Sequence, residues 1–456
     1  MSTIASATAT TSGATSIDAL VTEYREQNEA SYGLFERAQS VLPGGNTRTG
    51  VFVEPFPLYV ERAAGAELVD VDGNRRIDFV NNASALILGH AHPAVVRAIG
   101  ARAARGTAYF APCPLEVELA ELLAERIPSL ERLRFCSSGT EAVLGALRAA
   151  RAVTGRPMIA KFEGAYHGID DPALISYLPP LGPELGPAQR PLPVAASAGL
   201  APGTAEHVLV LPFNDGEACE ALIHEHGERL AAVIVDPLST AAGMTLPEPG
   251  FLETLRSVTS ELGIVLIFDE VVSFRAGRGG TQGVYGIRPD LTCLAKVVAG
   301  GTPGGAFGGR ADIMALYDPG GGGPAIPQSG TYNGNPIVMA AGLATLRTMT
   351  DAAYGEVHER TSRLGDGLRR VFSDAGVPGC VVTAGSLFQL YFLPEAPRSY
   401  REAARDDGAR QRWLYFWLMN HGIVTRRGGN VSLPMTDRHV DRLVEEVEKA
   451  LRHLPR

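Results

Sequence analysis

Five short runs of β-branched and apolar residues, each set apart from the next by a stretch of helical composition, constrain this chain more than any other feature. They are "RLRFCSS", "PMIAKFE", "HVLVLPFN", "AAVIVDPL" and "GIVLIFDEVV", spread between about residues 90 and 330. Strands that read as unbroken apolar runs need cover on both faces, and strands alternating with helices are joined by crossovers. The expected fold is therefore α/β, a mostly parallel central sheet with helices on both sides. In such sheets ligands gather beyond the C-terminal ends of the strands.

The flanks read differently. Residues 1–16 are Ser, Thr, Ala and Gly with little to bury, and a disordered tail is expected there. "IDALVTEYREQNEASYGLFERAQSVLPGG" has the apolar spacing of one amphipathic helix closed by Pro-Gly-Gly. "FPLYVERAAGAELVDVDGNRRIDFVNN" alternates around an Asp-Gly turn as hairpin strands do, so 17–80 is expected to form an N-terminal helix and a small β subdomain. Residues 81–335 would form the large domain and 336–456 a small α+β C-terminal domain. A Pro-rich interval at about 177–204 reads as a long loop near the site, and "DPGGGGP" at 318–324 as a flexible link.

Composition excludes several classes. With 456 residues and a formal net charge of -9, the chain builds no basic stripe to neutralise phosphates, so no nucleic-acid partner is expected. The five cysteines are widely spaced without a CxxC pair, which suggests neither a disulfide framework nor a zinc site. No basic-then-apolar leader and no run of about 18 apolar residues is present, so a cytoplasmic protein without a membrane partner is expected. There is no HExxH, GxSxG, Walker or GxGxxG pattern, and no metal ligand is expected.

The chemistry gathers on a few residues. Lys296 stands in "CLAKVVAGG", otherwise small or apolar; such a lysine ordinarily snorkels to water, but glycines come after it and Asp269 closes an apolar strand 27 positions upstream. A desolvated lysine loses its proton more easily and becomes a nucleophile toward carbonyls, as a Schiff base requires. A buried carboxylate at the end of "IVLIFDE" needs a cationic partner, which a protonated pyridine nitrogen would supply. In "FCSSGTEAVLGALRAAR", a strand leads through Ser138, Gly139 and Thr140 into a helix, whose free N–H groups suit a phosphate as well as an ordinary cap. "FEGAYHGID" adds Tyr166 and His167 between glycines, where an aromatic face could stack on a heterocycle or simply pack on the core.

In this order along the chain, the phosphate loop, aromatic, strand-end Asp and Lys resemble the class III, fold-type I, pyridoxal-phosphate aminotransferases, from about residue 30 to the C-terminus. "GAYHG", "LTCLAKVVAGGTPGGAFGGRADIM" and "GTYNGNPIVMAAGLATL" look most like the glutamate-1-semialdehyde aminomutase branch and its relatives that transaminate β-amino acids. The resemblance implies pyridoxal 5'-phosphate joined to Lys296, Asp269 on its ring nitrogen, and Ser138, Gly139 and Thr140 on its phosphate. Tyr166 and Val271 would enclose the ring, with His167 and Asp236 beside the cofactor. Thr331, in "SGTYNGNP", is similar to the threonine that reaches the phosphate of a neighbouring subunit, implying a homodimer with composite sites.

The same resemblance makes Arg48 the receptor of the substrate carboxylate, a bidentate task that suits guanidinium, and Arg426 a second clamp, with Arg427 as its rival. One departure stands out: relatives have Glu-Pro where this chain has "VDPLSTAAG", so Asp236 is a methylene shorter. The implied reaction moves an amino group between an amino acid, a β-amino acid on this resemblance, and a keto acid in two alternating half-reactions. The alternatives are an aminomutase that shifts the group within one molecule, an epimerase, and a binding module without catalysis.

Overall fold

The computed structural model describes residues 15–320 and 322–455, so most of the expected tail at 1–16, and residue 321 of the Gly-rich link, lie outside the described residues. The first sheet has strands β1 (Val60–Ala64), β2 (Glu67–Asp70) and β3 (Arg75–Asp78), in antiparallel succession around the Asp72-Gly73 turn. The central sheet contains β4 (Arg132–Cys136), β5 (Met158–Phe162), β6 (Val208–Leu211), β7 (Leu230–Val235), β8 (Val265–Asp269), β9 (Leu291–Ala295) and β10 (Gly305–Gly309). Its order is β4-β10-β9-β8-β7-β5-β6, with β10 antiparallel to both neighbours and the remaining pairs parallel. A third, antiparallel sheet joins β11 (Cys380–Ala384), β12 (Leu387–Tyr391) and, after β13 (Ile423–Val424), β14 (Gly428–Asn430).

The central strands show why they read as apolar runs. Every residue of β5, β7, β8 and β9 is buried. Because alternate residues face opposite sides, Ile159, Ile234 and Ile267 pack under the helix Gly139–Thr154, while Phe162, Val235 and Phe268 meet the helices Gly216–His226 and Phe251–Glu261. Both faces are covered, as the sequence pattern requires.

Three features depart from the pattern. The single N-terminal helix is two, Ile17–Gln27 and Glu29–Gln39, broken at Asn28 (φ -135°, ψ 43°). Asn28 is fully buried, and its Oδ1 accepts from Arg76 Nη2 (2.8 Å), while Arg76 also pairs with Asp70 (2.9 Å). A satisfied buried network outweighs one continued turn of helix. The glycine-rich "GGAFGG", which is not among the apolar runs of the sequence pattern, forms strand β10. A Cβ on Gly308 would lie 2.3 Å from the Arg132 carbonyl, and one on Gly305 2.7 Å from that of Ser138, so only glycine lets this strand close in. Finally, β13 pairs in parallel with β3, and Leu20, Tyr24 and Phe56 share one core with Trp413, Leu443 and Val447. The N-terminal segment and the C-terminal part are packed as one body.

Lys161, on β5, sits under the helix-covered face with no exposure, and its Nζ donates to the carbonyls of Ala165 (2.9 Å) and Ala173 (2.9 Å) and to Ile175. It thereby ties down the loop that carries Tyr166 and His167. Three acceptors match the three N–H groups of an ammonium, but burial opposes the charge and pulls its pKa from 10.5 to about 7. The folded form thus binds its proton less tightly than the unfolded chain. The cost is fully present below pH 7, and stability contributed by this residue rises between pH 7 and 10.5. Urea midpoints at pH 7 and pH 9.5 should show the wild type gaining on Lys161→Met by up to about 1.4 kcal/mol per pH unit; parallel curves would disprove this.

Candidate active site

Strands β4, β5, β7, β8 and β9 all point the same way, and their C-terminal ends surround a cavity of about 530 Å³. Each strand supplies residues at or just past its end: Ser137 to Thr140 after β4, Tyr166 and His167 after β5, Asp236 after β7, Asp269 closing β8, and Lys296 after β9. Val271 and Arg48 also stand in the wall. A larger cavity, about 860 Å³, lies between Glu67 and the closing helix Asp437–His453, and is lined by charges of both signs with Thr436 and His439.

Lys296 takes a left-handed backbone (φ 55°) directly after β9. For a non-glycine residue that conformation costs roughly 1–2 kcal/mol, and such strain clusters at functional sites. Burial lowers the pKa of its amine; the nearby Asp269 and Asp236 partly offset this, and the charge of Arg275 reinforces it. Asp269 does not pair with it. Its Oδ2 lies 2.7 Å from His167 Nδ1 and its Oδ1 accepts from Val271 N (3.0 Å). His167 Nε2, buried, has no partner among the described residues.

At the other end of the cavity, Ser138 caps the helix Gly139–Thr154 by accepting from Glu141 N (3.2 Å), and Glu141 reaches back to Ser137 N (2.9 Å). The amides of Gly139 and Thr140 find no acceptor among the described residues. A Cβ at Gly139 would stand 3.1 Å from both γ-carbons of Val271, a tight contact; Gly168 (φ 95°) lets the Tyr166 loop cross at Thr140. Tyr166, partly exposed, leans on Tyr177 with ring centroids 5.0 Å apart. Open helix amides, a carboxylate on the floor, a flanking aromatic and an unpaired amine match the anion, the basic nitrogen, the flat ring and the aldehyde of the expected cofactor.

Asp236 is absorbed by its own turn. Oδ1 accepts from Leu238 N (3.2 Å), and Oδ2 from Thr240 N (2.8 Å) and the Thr240 hydroxyl. Burial, reinforced by neighbouring Asp269, raises its pKa against the pull of the Thr240 hydrogen bond. The shorter side chain and the Ser-Thr after it therefore work together.

Thr331, Arg426 and Arg427 are not in the wall of this cavity. Thr331 is exposed on the loop where Asn333 meets Ser137 (3.3 Å). Arg426 is exposed and donates to the carbonyl of Gly50, two positions from Arg48. No residue of the Pro-rich interval at 177–204 lines the cavity. Sequence reasoning missed Asn82, Ala83, Thr240 and Thr302, all in the wall. Only the Ser-Thr after Asp236 signalled any of them; "NNASA" gave no periodicity to read.

The comparisons agree with this geometry. Residues 50–451 match the family model described as aminotransferase class-III. A glutamate-1-semialdehyde 2,1-aminomutase of Desulforudis audaxviator is 42% identical over 428 residues, 92% of this chain and 96% of that protein. Among solved structures, an omega-transaminase from Sphaerobacter thermophilus is 44% identical with a TM-score of 0.91, covering 94% of this chain and 98% of that one. A transaminase with PLP bound is 39% identical (TM-score 0.86; 93% and 97% covered). A beta-phenylalanine aminotransferase from Variovorax paradoxus is 37% identical (TM-score 0.86; 95% and 97% covered). Matched over nearly all its length by fold, sequence and site, the chain belongs to the class III aminotransferases.

Proposed function

We propose that this protein is a pyridoxal 5'-phosphate enzyme that transfers an amino group between an amino acid, specifically a β-amino acid, and a keto acid. The observation that carries this reading is that a desolvated Lys296, without a partner among the described residues, and Asp269 share one cavity whose far end presents the free amides of Gly139 and Thr140.

When bound, the cofactor supplies an aldehyde for amines and a ring that draws electrons from the substrate carbon. The residues do the rest. Ser138, Gly139 and Thr140 hold the phosphate through amides and hydroxyls at the helix N-terminus. Asp269, oriented by His167 and Val271 N, holds a proton on the ring nitrogen. Tyr166 and Val271 enclose the ring. Lys296, desolvated and so closer to neutral, would supply the amine that bonds the cofactor's aldehyde and, when displaced by the substrate amine, the general base at the substrate's amine-bearing carbon. Arg48 receives the substrate carboxylate at the mouth, and Arg426 stands beside it through Gly50. Thr331, exposed and outside its own chain's cavity, serves the phosphate of a second copy, which makes the enzyme a homodimer. Among the described residues no helix is long and apolar enough to cross a membrane, and a cytoplasmic location belongs to this reading.

A second reading, intramolecular transfer by a glutamate-1-semialdehyde aminomutase, has the better support from the names of curated relatives, at 42% identity for the one above. The solved transaminases and the two arginines near the mouth support transfer between molecules. A donor screen on the holoenzyme, α against β and D against L, separates them through bleaching of the bound chromophore. We expect a β-amino acid to bleach it and a keto acid, added afterwards, to restore it. Turnover of glutamate-1-semialdehyde with no keto acid present establishes the second reading instead.

A further inference from the structure

Residues Asn81, Asn82, Ala83 and Ser84 have φ of 47°, 50°, 52° and 71°, a full turn of left-handed backbone without a glycine. Asparagine tolerates this region, but Ala83 and Ser84 rarely enter it, so the surroundings must hold the turn in place. They do so through Arg275, which has no exposure and no carboxylate partner among the described residues. It donates to Ser84 O (2.8 Å), Asn430 Oδ1 (2.7 Å), Val431 O (2.8 Å) and the Ser386 hydroxyl. Asn430 in turn donates to Val80 O (3.0 Å) and accepts from Asn81 Nδ2 at its own carbonyl (3.1 Å). The turn is thus clamped at both ends by one buried guanidinium and one buried amide from the C-terminal part of the chain.

What the clamp presents to the cavity is Asn82. Asn82 and Ala83 lie in the cavity wall, and Asn82 Oδ1 accepts from Arg48 Nη1 at 2.9 Å. This is the sole side-chain hydrogen bond of Arg48 among the described residues. An exposed arginine samples many rotamers, and fixing one of its N–H groups leaves the rest of the fork in a single orientation.

We propose that Asn82, clamped by Arg275 and Asn430 on the left-handed turn, is a positioning residue that aims Arg48 and so sets the preference for carboxylate-bearing substrates. The proposal rests on the reading of Arg48 as the carboxylate receptor. It extends the substrate site to a polar residue that never touches the reacting atoms.

The test measures binding, so that it holds for either reaction. Dissociation constants of 3-phenylpropanoate and pentanoate, and of their primary amides, are determined by calorimetry on the holoenzyme and on Arg48→Ala, Asn82→Gly and the double variant. Glycine adopts the left-handed conformation freely, so Asn82→Gly removes the acceptor without straining the turn. We expect Asn82→Gly to weaken the carboxylates about tenfold and the amides less than about twofold, consistent with one hydrogen bond to a charged group. The double variant should bind no worse than Arg48→Ala. If Arg48→Ala weakens the carboxylates while Asn82→Gly leaves them unchanged, the proposal is overturned and the role of Arg48 stands. If Arg48→Ala itself has no effect, the underlying reading fails and the proposal falls with it.

Discussion

Replacing Lys296 by alanine is expected to lower turnover by about 10⁴-fold or more, since one amine serves both as nucleophile and as proton carrier at the substrate carbon. The fold should survive, because Lys296 is a cavity residue whose loss removes no ion pair with Asp269, which is held by His167 and Val271. Three readouts separate chemistry from structure. Circular dichroism should be unchanged. Borohydride should attach the cofactor to the wild type but not to Lys296→Ala. Added small alkylamines should restore part of the lost rate, since they replace the base without the tether. Lys296→Arg should be as inactive as alanine, because guanidinium stays protonated and cannot act as a nucleophile. Activity within tenfold of the wild type in Lys296→Ala would place the reaction elsewhere.

The second large effect is one of stability. Arg275→Met should cost about 3 kcal/mol or more, although the residue touches no carboxylate and is neither nucleophile nor base. Removing the guanidinium strands Ser84 O, Val431 O, Asn430 Oδ1 and the Ser386 hydroxyl in a region closed to water. Each stranded acceptor costs roughly 1–3 kcal/mol, offset in part by no longer desolvating a charge; burial, partly opposed by Tyr354, lowers the pKa of Arg275 to about 9. Arg275→Lys should recover little, since a single ammonium cannot span four acceptors on three segments. Chemical denaturation of the purified holoenzyme measures this. A midpoint unchanged from the wild type would mean that water replaces the guanidinium. The same substitution should also raise the pKa of Lys296, because the positive charge of Arg275 contributes to its lowering.

These expectations differ in how far they were legible in the chain itself. The acid and the lysine lie 27 positions apart on strands whose apolar runs announce a covered parallel sheet. Adjacent parallel strands end at the same edge, so Asp269 and Lys296 had to face one cavity once β8 and β9 paired. Ser138, Gly139, Thr140 and Tyr166 obey the same rule, as each comes directly after a strand. The Arg275 clamp obeys no such rule. Its partner Asn430 is 155 positions away, and Asn430 meets Asn81 across 349. The asparagines of "NNASA" tolerate a left-handed backbone, but Ala83 and Ser84 rarely adopt it, so the full turn exists only where distant hydrogen bonds outweigh the intrinsic cost of the backbone.

The sequence by itself thus determined what repeats locally: the alternation of strand and helix, the apolar faces, and the polar residues set at strand ends, all dictated by periodicity and by the cost of burying unpaired groups. Tertiary structure alone decided what depends on long-range satisfaction. It broke the first helix at Asn28 to complete the Arg76 network, drew β13 against β3, pressed glycine-rich β10 between β4 and β9, and set Asn82 against Arg48. Hydrogen bonds and close contacts between residues tens to hundreds of positions apart have no local signature, so they enter only when the chain has closed on itself.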